Sequence, residues 1–193
     1  MTGSHSRWAL GALVALGALA SGAARANGKE GARPEAQPRG EVLWKLHAIH
    51  LTEVGMARLG TELAQSSDVR AYALQALHDH RMLNKSVLTY AAEQDLRLDP
   101  GAGAAEHDEK AQRAMDALRA VHLGDFDREF LALMVRGHTQ ACDFARQARG
   151  GSNDREMQKL LDDLSPTLQR HRDRAVELQS RLKAGPPPRS GKR

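Results

Sequence analysis

The chain has 193 residues, enough for one domain, with 28 Lys and Arg against 24 Asp and Glu for a net charge of +4. That excess sits in residues 1–40 and 184–193; the stretch between is slightly acidic and has no basic stripe with interleaved aromatics, which argues against nucleic acid as a partner. Cys142 is the only cysteine, so no internal disulfide forms, and it reads as a small, partly buried hydrophobe.

Residues 1–26 read as a signal peptide. Arg7 precedes an uncharged, mostly apolar run from Trp8 to Ala20, and Ala24-Arg25-Ala26 is a small-x-small cleavage signal. The run is short for a membrane span, and no later segment is apolar enough to cross a bilayer. The expectation is a mature chain without a transmembrane span, in the periplasm or secreted. Residues 27–40, rich in Gly, Pro and charge, read as a flexible linker.

Five helices follow. The first is expected over Glu41–Gln65. Ser66 or Ser67 caps the second, which runs to Asp95, and so tight a connection makes an antiparallel hairpin. Asp99-Pro100-Gly101-Ala102-Gly103 breaks the chain before a shorter helix over Ala105–His122. Gly124 and Asp125 restart it as a helix to Arg149. After Gly150-Gly151-Ser152 the last helix spans Asn153–Lys183, with Pro166 expected to kink or divide it. Residues 184–193 read as a disordered basic tail.

Four of these segments carry an apolar stripe at alternating steps of three and four, the spacing of a seam facing partner helices. Each stripe is interrupted once. The stripes read Val42, Leu46, Ile49, Glu53, Met56, Gly60, Leu63; then Val69, Ala73, Ala76, His80, Leu83, Val87, Tyr90; then Leu131, Met134, His138, Ala141, Ala145, Ala148; then Met157, Leu161, Leu164, Leu168, His171, Ala175, Leu178, Leu182. Glu53, His80, His138 and His171 all fall near mid-helix, so whichever way each helix points they can share one layer. The resulting expectation for residues 41–183 is an all-α, ferritin-like four-helix bundle, its long crossover carrying the short extra helix.

The chain resembles an uncharacterised bacterial family of envelope proteins, a domain of unknown function often labelled predicted outer membrane protein. The resemblance rests on Thr52-Glu53-Val54, Asp79-His80 with Asn84, Phe126-Asp127-Arg128 leading to Met134-Val135 and His138, and Leu164-Ser165-Pro166-Thr167-Leu168 before His171. It spans roughly residues 42–182. It implies the ferritin-like bundle, export and the Glu53, His80, His138, His171 quartet, but no activity. The chain departs from the family at Gly137, commonly Asp there, which removes a carboxylate beside the site.

Two readings of the quartet stand side by side. One carboxylate and three imidazoles suit a single zinc, copper or iron ion. The same four groups can also satisfy one another by hydrogen bonds and fix helix register. The protein is then either a metal-handling protein or a non-enzymatic envelope stress or interaction protein. His50 lies beside the first stripe, at a boundary or surface position from which it can join the layer. Asp79 and Asn84 flank His80 and offer outer support. His78, His107 and His122 read as exposed. No Glu-x-x-His lies on an inward stripe, against di-iron chemistry, and no nucleophile–base pair or cofactor motif suggests an enzyme.

Overall fold

A computed structural model describes residues 38–184, and these form five helices with no strand among them: α1 Arg39–Leu63, α2 Ser67–Glu93, α3 Ala104–Arg119, α4 Leu123–Gly151 and α5 Arg155–Ala184. The expected signal peptide, most of the linker and nearly all of the tail lie outside the described residues. Arg39 and Gly40, read as the end of the linker, instead open α1. Pro38 stands at the N-cap, and its carbonyl accepts the amides of Glu41 and Val42 at 3.0 and 3.2 Å. Among the described residues no helix is long and apolar enough to cross a membrane.

The helices pack as two hairpins. α1 lies along α2 and α4 along α5, while α2 also meets α5 and α1 meets α4. Contacts at the ends fix the directions. Asp127, early in α4, reaches the α1–α2 turn, while Arg39 at the start of α1 pairs with Asp154 beside the start of α5 at 2.6 Å. α4 therefore starts where α1 ends. Residues 94–122 carry the chain back along the helices, and α3 packs on α1 and α4 as they do so.

The predicted stripes are the buried faces. Every stripe residue is buried except Leu63 and Leu83, which are partly covered, and Leu182, which is exposed. Burying a leucine or phenylalanine side chain is worth about 1.5–3 kcal/mol, and the stripes share that contribution with Leu43, Leu118, Phe126 and Phe130, fully buried beside them. The core has two apolar halves. One gathers Met56, Phe126, Phe130, Met134 and Ala175; the other gathers Ile49, Val87, Ala141, Leu164 and Leu168. The polar groups at 53, 80, 138 and 171 fall between them along each helix. Gly60 permits the tight approach of α1: a Cβ there would meet Phe130 Cζ at 2.6 Å and the Ala73 Cβ at 2.7 Å.

One sequence expectation needs correction, and the choice left open at Pro166 is narrowed. Ser66 occupies the N-cap of α2 but makes no side-chain cap. The buried Asp127 carboxylate instead ties down the α1–α2 turn from across the fold, accepting the amides of Gln65 at 2.9 Å and Ser66 at 2.7 Å. Replacing Asp127 with Ala leaves both donors unmet, and chemical denaturation should show a loss of about 2–3 kcal/mol. Pro166 does not divide the last helix, since α5 continues through it. Pro166 is exposed and so is Asp162, whose carbonyl loses its i+4 donor and can turn to water. One position earlier, Ser165 Oγ donates to Leu161 O at 2.6 Å.

Candidate metal centre

His80 on α2, His138 on α4 and His171 on α5 meet at the level between the two apolar halves. Their ring centroids form a triangle with every side 5.2 Å. His80 Nε2 lies 3.0 Å from His138 Nε2 and 3.3 Å from His171 Nδ1. One nitrogen of each ring lies within 4.8 Å of the others, a spacing that could hold a metal ion. For ligand bonds of about 2.0–2.1 Å, nitrogens around a tetrahedral ion stand roughly 3.3–3.4 Å apart, close to these separations.

The other nitrogen of each ring is occupied. His138 Nδ1–H donates to the Met134 carbonyl at 2.8 Å, and a carbonyl can only accept, so Nε2 is the bare nitrogen. His171 Nε2–H donates to Asp79 Oδ2 at 2.9 Å, leaving Nδ1 bare. His80 Nδ1 faces His50 Nδ1 at 3.1 Å. Two lone pairs thus converge on His80 Nε2, where either a proton or a cation can answer them. These tautomers follow from the partners present.

Burial keeps the cluster uncharged. Desolvation, reinforced by His138 and His47, lowers His50 to about 3. Desolvation also lowers His138 to about 4, against the bond to Met134 O, and holds His80 well below the ordinary imidazole value. His171 is lowered by burial and by His138, with Asp79 opposing. Neutral imidazole is the form that binds metal. Burial pushes Glu53 the other way, up to about 8. Glu53 Oε2 and His138 Nδ1 lie 4.0 Å apart, but a neutral acid beside a neutral imidazole is not an ion pair near pH 7.

Of the four predicted site residues, the structure gathers the three histidines into one cluster. Glu53 is buried in the same layer, but its carboxylate stands behind His138, against the nitrogen turned away from the cluster. Gly137 makes that placement possible: a Cβ there would meet Glu53 Oε1 at 2.5 Å. His50, read as a boundary or surface residue, is fully buried and belongs to the network. Asp79 supports His171 rather than its neighbour His80, and Asn84 Oδ1 accepts from His47 at 2.7 Å instead of reaching the cluster. His107 is half-buried with its ring edge against Trp44, centroids 5.7 Å apart, while His78 and His122 are exposed as expected.

The family described as Domain of unknown function (DUF4142) matches residues 24–178, most of the chain and all of the histidine cluster. The chain belongs to that family. None of the curated proteins matches it. Among solved structures it is similar to a DUF305 fragment from Deinococcus radiodurans, at 19% identity and TM-score 0.65, over 77% of this chain and 100% of that one. It is also similar to CopM in its Cu(II)-bound form, at 20% identity and TM-score 0.59, over 74% of this chain and 96% of that one. At such identities the likeness is one of fold.

Proposed function

We propose that this family member is a metal-handling protein that binds one transition-metal ion, copper foremost, through His80 Nε2, His138 Nε2 and His171 Nδ1. The observation that carries the reading is the outward side of each ring. A histidine that ligates a metal typically gives its second nitrogen to a carboxylate, a carbonyl or another acceptor. Here those partners are Asp79, the Met134 carbonyl and His50. Three neutral nitrogen donors suit copper, zinc or iron, and the likeness to a protein seen with copper(II) bound puts copper first. Glu53 is assigned a supporting place behind His138 in this reading. The fold is proposed to be a ferritin-like four-helix bundle of α1, α2, α4 and α5 with α3 on the crossover, working in the periplasm after loss of residues 1–26.

A second reading is favoured by the same distances. Separations of 3.0 and 3.3 Å are ordinary hydrogen bonds, so a proton on His80 Nε2 shared between the other two rings would complete a polar layer that only sets helix register. Titrating metal-free protein with copper separates the two. The metal reading expects one ion per chain and a higher melting temperature, lost in His138→Ala and His171→Ala alike. Unchanged melting with copper, zinc or iron leaves the polar layer.

A further inference from the structure

We propose that Asp79 and His171 are the doorway by which the ion reaches and leaves the cluster, an inference that rests on the metal reading above. The three rings have three backs. Behind His80 is His50, which has no exposed surface. Behind His138 are the Met134 carbonyl, within a helix, and the buried Glu53. Only behind His171 does the wall thin: its Nε2 touches an Asp79 side chain that is 21% exposed. The His171 ring therefore spans the wall, one nitrogen at the solvent-side carboxylate and the other at the cluster.

Asp79 is fixed in this position from both sides. Gln75 Nε2 donates to its Oδ1 at 2.8 Å, and His171 holds its Oδ2. It presents a negative charge at the seam of α2 and α5, where an arriving cation would be drawn in. Arg170 and Arg172, which flank His171 in α5, hydrogen-bond along their own helix, to Thr167 and Asp173. A cation held at Asp79 is one side chain away from the three convergent nitrogens.

The doorway separates from a purely orienting role by kinetics. Asp79→Asn keeps an acceptor for His171 Nε2–H, and so the tautomer, but removes the charge. Full-length, metal-free protein is mixed in a stopped-flow instrument with copper(II) buffered by glycine, and the loaded protein is then mixed with excess chelator. The doorway predicts that Asp79→Asn loads about tenfold more slowly and also releases copper more slowly, and that Asp79→Glu restores both rates. Added salt should slow loading of the parent more than of Asp79→Asn. Loading of Asp79→Asn at the parent rate overturns the proposal. So does faster release, which makes Asp79 an orienting partner alone. If the parent takes up no copper, the metal reading falls and the doorway with it.

Discussion

Replacing His80 with Ala should cost the metal-free protein about 3–5 kcal/mol, measured by urea denaturation, in addition to abolishing metal binding. His80 is the hub of the layer, in contact with His50, His138 and His171. Its loss opens a cavity and leaves three buried imidazoles without their common partner. That figure is the cost of breaking a network. Exchanging the four histidines at positions 50, 80, 138 and 171 for leucine removes the unmet imidazoles together and leaves only the neutral Glu53 carboxyl in the layer. The quadruple variant should recover the loss and equal or exceed the parent in stability. Met134 O keeps its helical bond to the amide of residue 138, and Asp79 has water within reach. If the quadruple variant is less stable than His80→Ala, the cluster owes its place to packing shape rather than to mutual satisfaction.

Acid should unfold the metal-free protein steeply. Four histidines have folded values below the ordinary 6.5, with His50 at about 3 and His138 at about 4. Between 6.5 and those values the unfolded chain binds protons that the folded chain refuses, so stability falls as pH drops through this window. Each such group contributes up to about 1.4 kcal/mol per pH unit. Glu53 works in the opposite direction. Its folded value of about 8 lies above the ordinary carboxyl range, so its contribution is full below that range and is lost as pH rises toward 8. It offsets one of the four histidines in acid and causes a shallow decline above neutrality. Stability should therefore peak near pH 6.5, and Glu53→Gln should flatten the alkaline side and steepen the acid side between 4.5 and that peak. Copper competes with protons for the same nitrogens, so the loaded protein should survive to lower pH than the metal-free one. A stability curve flat from pH 7 to 5 contradicts the buried, neutral cluster.

Much of this was legible in the sequence because a core layer obeys helical spacing. His80, His138 and His171 each replace one apolar residue in a periodic stripe, and periodic positions face inward. The helix ends fall within a few residues of the expected ones. His50 was expected at a boundary or the surface because it lies one residue off the stripe, next to Ile49, yet it is fully buried. A two-position stripe describes a helix covered on one side, whereas α1 is covered by α2, α4 and α3. Its buried face is wider and also takes in Leu43, Ala57 and Leu59. The spacing of His47, His50 and Glu53 along one face was the available signal. The role of Asp127 was hidden for another reason: its partners lie more than sixty residues earlier, and no local pattern announces a turn held from across the fold. The seat of Glu53 depends on Gly137 of another helix, a pairing that only the packing reveals.

X-ray absorption at the copper edge of the loaded protein, compared with His138→Ala, tests the central claim most directly. The account predicts a shell with three imidazole nitrogens at about 2.0 Å in the parent, with the His138→Ala sample failing to hold stoichiometric copper. A shell dominated by oxygen or sulfur, or a parent spectrum unchanged in the variant, would contradict it.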